Sequence, residues 1–309
     1  RVLFRSCGAI PMATNAGPPV TPDLLRTGAD GQVFATASLL SRAHVIARHH
    51  LSTLPVHRAI IRVVECLMVG AEPLVGPVLD VGCGDGHFAG ACLVPSYGAR
   101  IDVGIDPAFA SVREAHDAGV YRMALACGGQ ALPFADGSFP TVVSNCVLEH
   151  IPPLDATLRE IHRVLAPGGK LIITVPSDKF AGSLFWSRSL STLGFPSAGE
   201  AYGRWFNRIS LHFHMYNRDG WQGRLHAAGF KVEKWASYLL PDVMALFDLS
   251  HYYGVPTLLT KRLTGRWILW PGKWRYLPWE RALEKALASW TRQISVPDGS
   301  YFFFVARKA

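Results

Sequence analysis

Apolar runs and amphipathic stretches alternate along most of this 309-residue chain. Short, continuously apolar runs predict strands that are buried on both faces, and apolar residues at three- and four-residue steps predict helices. The predicted strands are 77–82, 100–106, 122–127, 140–146, 170–176, 231–239 and 300–308. Helical patterns at 86–94, 108–119 and 154–165 lie between them. This alternation predicts an α/β fold with a seven-stranded, mostly parallel sheet and helices on both faces.

Three regions lie outside that alternation. Residues 32–70 carry a helical pattern that is broken near 53–55, which predicts an N-terminal cap of two helices. Residues 177–211 and 239–297 are too long for plain loops, and we expect two lid insertions there. Residues 1–11 resemble a translated sequencing-adapter tail and are expected to be no part of the native protein. The predicted divisions are therefore a tail at 1–11, a flexible start and cap at 12–70, and a main domain at 71–309.

Composition narrows the class of protein further. The apolar fraction of 49% and the charged fraction of 17% predict an ordered globular chain. No apolar run reaches about 18 residues, so no transmembrane helix is predicted. The six cysteines show no C-x-x-C spacing, which predicts reduced thiols, no zinc site and a cytoplasmic location.

A glycine-rich turn follows the first predicted strand. The stretch "VLDVGCGDG" places Gly82, Gly84 and Gly86 where open α/β sheets bind their ligands. Glycines allow the backbone to approach a ligand, and the amides of the next helix suit an anionic group. Asp106 ends the next strand, where an acid can bind ribose hydroxyls. The dinucleotide fingerprint would need a small residue where this chain has His87, which argues against a dehydrogenase.

Five ordered blocks carry a family resemblance. "VLDVGCGDGHFA", "GIDPA", "LPFADGSF", "VVSNCVLEHI" and "EIHRVLAPGGKLIITVPS" together resemble class I S-adenosylmethionine-dependent methyltransferases, mainly those that act on small molecules. The resemblance covers residues 78–177 and implies a Rossmann-like fold and S-adenosylmethionine as cofactor. It implies the cofactor-binding residues Asp80, Gly82, Cys83, Gly84, Gly86, Asp106, Gly129, Gln130, Asn145, Cys146 and Val147.

The resemblance also implies roles for these residues. The three glycines would pass beside the methionine part of the cofactor, and Asp106 would hold the ribose hydroxyls. Asn145–Val147 would border the sulfonium. Gly129 and Gln130 would serve the adenine, although Gly128 replaces the acid that is usual in the family at that point.

Methyl transfer from a sulfonium is an in-line displacement, for which positioning of the acceptor is the main requirement. A base assists if the acceptor is a hydroxyl or an acidic carbon. His150, His214 and Tyr216 are the candidate catalytic residues. The alternative for His150 is to orient its loop or to contact the cofactor, and the alternative for His214 and Tyr216 is to form a pocket wall. His212 and His214 form a His-x-His pair without a third ligand at a suitable spacing, so no metal site is predicted.

The two insertions indicate the acceptor. The earlier insertion is rich in aromatic residues that could line an apolar pocket or pack in the core, namely Phe185, Trp186, Tyr202, Trp205 and Phe206. The later one has no acid between Asp248 and Glu280, and it interleaves basic residues with tryptophans, namely Lys261, Arg262, Arg266, Lys273 and Arg275 with Trp267, Trp270, Trp274 and Trp279. This favours peripheral contact of residues 261–279 with a membrane or a lipid-like substrate. A solvated face over buried tryptophans, or nucleic-acid contact, is the alternative.

The predicted function follows from the cofactor and the insertions. We expect methyl transfer from S-adenosylmethionine to a small, apolar or lipid-like acceptor. "SNCV" at the end of the fourth strand lacks the Asn/Asp-Pro-Pro-aromatic block of enzymes that methylate base amines, so a nucleic-acid partner is disfavoured. A macromolecular acceptor, or an inactive cofactor-binding scaffold at a membrane, is the alternative.

Overall fold

Nine strands are present in the part of the chain that the computed structural model describes, which is residues 25–36, 39, 46–47, 49–50, 53–264 and 290–309. They are β1 Leu25–Thr27, β2 Val33–Ala35, β3 Val78–Val81, β4 Ile101–Asp106, β5 Tyr121–Ala126, β6 Phe139–Asn145, β7 Leu165–Pro176, β8 Phe230–Tyr238 and β9 Tyr301–Lys308. The last seven form one sheet in the order β5-β4-β3-β6-β7-β9-β8. Strands β3 to β7 pair in parallel, and β9 runs antiparallel between β7 and β8. The predicted seven-stranded, mostly parallel sheet is confirmed.

Helices cover both faces of this sheet. They are α1 Val56–Val69, α2 Val94–Tyr97, α3 Phe109–Asp117, α4 Leu154–Val164, α5 Phe180–Ser183, α6 Phe185–Thr192, α7 Pro196–Ile209, α8 Arg218–Ala227 and α9 Pro241–Thr264. A π-helical turn at Ala89–Leu93 leads into α2, and 3-10 turns lie at Leu148–His150 and Trp290–Gln293. The apolar stripes of α1 and α9 pack in one core, and those of α4 and α8 pack in the other. This two-sided burial explains why the central strands are continuously apolar.

The beginning of the described chain corrects one prediction. The helical pattern was expected from Gln32, but Val33–Ala35 pairs with Leu25–Thr27 as a β-hairpin. Gly31 turns this hairpin with a φ of +81°, and Gln32 bridges to Trp235 of β8. Strands of three residues are too short to show a periodic signal. The second predicted helix is confirmed as α1, whereas the first lies largely outside the described residues.

The two insertions differ in how much of them is described. Residues 177–211 contain α5, α6 and α7, and the later insertion begins with α9, which continues through Pro256 to Thr264. The segment 265–289, which holds all four tryptophans of the predicted membrane contact, lies outside the described residues. Among the described helices, none combines the length and the apolar character needed to cross a membrane.

A buried ion cluster joins the loop before β3 to strands β7 and β8. Glu72, only 3% exposed at its side chain, lies 3.4 Å from the Nζ of Lys170 on β7 and 2.7 Å from the Nζ of Lys234 on β8. Burial lowers the pKa of Lys170. The charges of this cluster are therefore tolerated because they compensate one another.

Replacement of Glu72 is expected to destabilise the fold strongly. Glu72→Ala should lower the free energy of unfolding by about 3–5 kcal/mol in urea titrations, because it leaves buried Lys170 uncompensated. Glu233→Ala is the matched control, since its carboxylate pairs with Arg307 at 2.8 Å on the surface, and it should cost about 1 kcal/mol or less. Equal losses of unfolding free energy in the two variants would contradict a stabilising role for the buried Glu72 cluster.

Candidate active site

The turn after β3, which we call the glycine loop (residues 82–86), has three residues in the left-handed region. The φ angles are +83° at Gly82, +53° at Gly84 and +79° at Gly86, which side chains rarely adopt. A Cβ on Gly82 would overlap Val147, and one on Gly86 would lie 2.9 Å from the Cγ2 of Val120. A Cβ on Gly84 would meet no described atom within 4 Å. Packing therefore requires glycine at positions 82 and 86, while Gly84 borders open space.

The end of β4 holds the glycine loop in place. The backbone N–H groups of Gly82 and Cys83 both donate to the carbonyl oxygen of Ile105 at 2.8 Å. Asp106 accepts from the N–H of Gly84 at 3.2 Å through Oδ2, and from Ala108 at 2.9 Å through Oδ1. Each carboxylate oxygen retains a further lone pair. The predicted ribose-binding acid is thus the residue that orders the loop.

A cavity of about 260 Å³ opens against this loop. Its described lining is Leu54, Arg58, Arg62, Asp80, Gly82, Cys83, Gly84, Asp85, His87, Phe88, Ala110, Ser111, Glu114, Asn145 and Lys261. Five of the predicted cofactor residues belong to it, namely Asp80, Gly82, Cys83, Gly84 and Asn145. The others lie outside the lining, and they are Gly86, Asp106, Gly129, Gln130, Cys146 and Val147. Gly129 is buried against Thr157 of α4, and Gln130 is exposed.

Two arginines of α1 face the cavity one helical turn apart. Arg62 pairs with Glu65, and its guanidinium lies 5.6 Å from the ring centroid of Phe88. Burial acts to lower the pKa of Arg62, but the Glu65 carboxylate outweighs it and holds that pKa above its usual range. Burial, together with the charge of Arg62, lowers the pKa of Arg58 to about 10. Both side chains therefore remain cationic at neutral pH and suit an anionic ligand group.

Lys261 reaches the same cavity from α9. Its Nζ donates to Asp85 of the glycine loop at 3.3 Å and to Glu114 of α3 at 2.6 Å. Lys261 belongs to the predicted membrane-contact segment, but its ammonium group pairs with carboxylates of the cavity lining. Of that segment the structure describes only residues 261–264, so membrane contact by the rest stays a prediction.

A buried polar network fixes the end of β6. The Oε2 of Glu65 accepts from the Nδ2 of Asn145 at 2.8 Å, and its Oε1 accepts from the Sγ of Cys146 at 2.8 Å. The hydroxyl of Thr174 donates to the Oδ1 of Asn145 at 2.8 Å. Cys146 adopts a φ of +51°, and burial raises the pKa of its thiol, which stays a neutral donor. Two of the three residues predicted to border the sulfonium, Asn145 and Cys146, are thus oriented by α1.

The three candidate catalytic residues lie outside the described cavity lining. The Nε2 of His214 donates to the carbonyl oxygen of Ile151 at 2.9 Å, and its Nδ1 accepts from the hydroxyl of Tyr216 at 3.0 Å. The Nδ1 of His150 donates to the carbonyl oxygen of Leu211 at 3.1 Å. Beside it, burial raises the pKa of Glu149 to about 8. The structure thus brings His214 and Tyr216 into contact with each other, and their catalytic role remains a prediction.

Arg58, Arg62 and Glu65 were not predicted as site residues from the sequence. A signal was present, because these polar residues recur at positions i, i+4 and i+7 of an otherwise apolar helix. That spacing places them on one helical face. A polar stripe within a buried helix indicates a site rather than a solvated surface.

Comparison with known proteins agrees with this geometry. Residues 49–234 match the family model of a methyltransferase domain, and the chain belongs to this family. Its Rossmann-like fold is that of the class I S-adenosylmethionine-dependent methyltransferases, as predicted.

Two curated relatives are 36% identical over part of their length. One is the malonyl-[acyl-carrier protein] O-methyltransferase of Methylococcus capsulatus, matched over 35% of this chain and 41% of that one. The other is the arsenite methyltransferase of Aquipseudomonas alcaligenes, matched over 38% and 36%. The chain thus spans about two fifths of the length of the curated relatives it matches. A solved S-adenosylmethionine-dependent methyltransferase from Thermotoga maritima is 17% identical and aligns with a TM-score of 0.49 over 88% of this chain and 99% of that one.

Asp80 makes the stability of the fold depend on pH. Its carboxylate accepts from the hydroxyl of Tyr121 at 2.6 Å, and burial raises its pKa from 3.8 to about 6. Between pH 3.8 and about pH 6 the folded state binds more protons than the unfolded chain, so stability falls as the pH rises.

Asp80→Asn is expected to remove this dependence. Between pH 4 and pH 7, the wild-type free energy of unfolding should fall by about 2 kcal/mol relative to that of the variant. Denaturant titrations at both pH values measure this difference. Asp117→Asn, a change at a carboxyl that is 71% exposed, is the control and should follow the wild type. Parallel curves for wild type and Asp80→Asn would refute the buried-carboxyl assignment.

Proposed function

We propose that this protein transfers a methyl group from S-adenosylmethionine to a small, apolar or lipid-like acceptor. The observation that carries the cofactor assignment is the glycine loop. Gly84 lines the cavity with a φ of +53°, and a side chain there would enter open space. A positive φ at a glycine that borders a cavity allows the backbone to approach a ligand closely. In a methyltransferase domain this supports contact between the glycine loop and the cofactor.

The residues around the cavity fit this cofactor. Asp106 would hold the ribose hydroxyls through its remaining lone pairs. Arg58 and Arg62 would bind the methionine carboxylate, since both cations line the cavity beside the glycine loop. The bound cofactor supplies an electrophilic methyl group, and the chain supplies the position of the acceptor, which contributes about 7–11 kcal/mol in well-oriented reactions.

Lys261 would help to close the site. It joins α9 to the glycine loop and to α3 through Asp85 and Glu114. Leu54 and Phe88 add apolar surface to the same lining. This arrangement supports exclusion of water from the cofactor, which strengthens the electrostatic contacts of the site.

Exposed apolar side chains of the earlier insertion support an apolar acceptor. The exposed fractions are 43% at Trp186, 63% at Phe195 and 44% at Trp205. Leu211 and Phe213, which follow α7, are 60% and 55% exposed. We infer that these side chains together form an apolar surface for a ligand or a lipid. The relatives are named for malonyl-[acyl-carrier protein] and for arsenite, so the proposal of an apolar acceptor rests on the surface of this chain.

Gly84→Ala is expected to lower the affinity for S-adenosylhomocysteine at least about tenfold, or about 1.4 kcal/mol, because the added methyl group occupies ligand space. Gly98→Ala is the matched control. Gly98 also has a positive φ, +75°, with nothing within 4 Å of an added Cβ. Both variants should lose about 1–2 kcal/mol of stability.

Calorimetric titration with S-adenosylhomocysteine separates the loss of ligand contact from the loss of stability. Unchanged affinity in Gly98→Ala together with weakened binding in Gly84→Ala supports ligand contact at the loop. Equal affinity of the wild type, Gly84→Ala and Gly98→Ala for S-adenosylhomocysteine would contradict contact between the cofactor and Gly84.

The acceptor proposal predicts a chain-length dependence. In a homologous series of straight-chain amphiphiles, kcat/KM should rise about fourfold per added methylene, which corresponds to about 0.8 kcal/mol of burial. Trp205→Ser should flatten this dependence. Val75→Ser, at an apolar residue that is 58% exposed before β3, should retain it. Transfer of a labelled methyl group that is independent of chain length would contradict an apolar acceptor.

A further inference from the structure

Outside the described cavity lining, three side chains with metal-binding atoms converge. Glu149 and His150 belong to the 3-10 turn after β6, and His212 follows α7. One ligand atom from each of the three lies within 4.8 Å of those of the other two. The Nε2 of His150 is 3.6 Å from the Oε1 of Glu149, and the two imidazole centroids are 5.2 Å apart. We propose that Glu149, His150 and His212 bind one divalent transition-metal ion of the zinc type.

The Glu149 carboxylate is the strongest indication. Its residue is only 1% exposed, and its Oε2 has no hydrogen-bond partner among the described residues. A buried carboxylate oxygen without a partner is costly, so such groups are normally paired or bound to a metal. The backbone of the turn is fixed independently, since the N–H of Phe213 donates to the Glu149 carbonyl oxygen at 2.8 Å.

Both histidines are oriented as metal ligands. The Nδ1 of His150 lies 3.1 Å from the carbonyl oxygen of Leu211, which can only accept, so this Nδ1 carries the proton. The Nδ1 of His212 lies 3.2 Å from the Oδ1 of Asn207 and donates in the same way. The Nε2 of each ring therefore keeps a free lone pair. Metal-bound histidines are held by this same outer hydrogen bond.

The donor set selects the metal class. Two imidazole nitrogens and one carboxylate oxygen are the ligands of many zinc sites, with a fourth position left for water or an oxygen-bearing ligand. The His150 side chain is 37% exposed, which gives an ion a path of entry. The bound ion would join the turn after β6 to the end of the earlier insertion.

This assignment departs from the sequence prediction that no metal is bound. That prediction considered His212 and His214 and found no third ligand at a suitable spacing. In the structure both nitrogens of His214 are used by Ile151 and Tyr216. The partners of His212 are instead a Glu-His pair from more than sixty residues earlier in the chain.

The test is titration of the untagged, EDTA-treated full chain with Zn²⁺ by calorimetry, and with Co²⁺ by visible absorption. The wild type should bind one equivalent of each ion. Glu149→Gln and His212→Asn should bind at least tenfold more weakly, since even loss of an outer-shell partner costs 10–100-fold. His226→Gln, at an exposed histidine of α8, is the matched control and should bind as the wild type does.

A further variant separates metal ligation from folding. Asn207→Ala leaves all three ligands in place and should still weaken binding about 10–100-fold, with an unchanged circular dichroism spectrum. Absence of a saturable site in the wild type would overturn the proposal. Equal uptake by the wild type, Glu149→Gln and His212→Asn would also overturn it, because surface groups would then bind the ion. Neither readout depends on methyl transfer.

Discussion

The buried carboxylate of Glu65 is the interaction on which the site depends. It ties α1 to the end of β6 through Asn145 and Cys146, which are 80 and 81 positions further along the chain. Its charge is balanced by Arg62, which also faces the cavity. Because removal of one partner of a buried ion pair leaves an uncompensated charge, Arg62 and Glu65 must be present together. The cap is therefore part of the site rather than a separate cover.

This constraint determines the electrostatics of the cavity. Glu65 keeps Arg62 charged beside the glycine loop, and Asp106 orders the loop through the N–H of Gly84. Lys261 bridges the loop and α3 from α9. Backbone amides of the glycine loop and the cations Arg58, Arg62 and Lys261 thus border the ligand space. The acids of the lining already accept from other groups of the protein. Such a site suits a zwitterionic ligand that carries both a carboxylate and hydroxyl groups.

The sequence was sufficient for the features that residue identity and local pattern determine. The central strands β3, β6 and β7 were predictable because they are largely apolar and buried, and the glycine loop because glycine readily adopts positive φ values. The side chain of Asn217 caps α8, since its Oδ1 accepts from the N–H of Gly220 at 2.8 Å, and asparagine is among the residues that sequence patterns mark at helix starts. The β1–β2 hairpin was missed because three-residue strands carry no period. The contacts of Glu65 and the meeting of Glu149 with His212 were not predictable, since they join residues more than sixty positions apart.

Calorimetric titration of the full chain with S-adenosylhomocysteine, with NAD⁺ as the control ligand, tests the central claim most directly. Both ligands carry adenosine. The glycine loop has the G-x-G-x-G spacing of S-adenosylmethionine sites, and His87 stands where the NAD fingerprint needs a small residue. The structure predicts saturable binding of S-adenosylhomocysteine at one site and no heat from NAD⁺. Binding of NAD⁺ alone, or of neither ligand, would contradict the account.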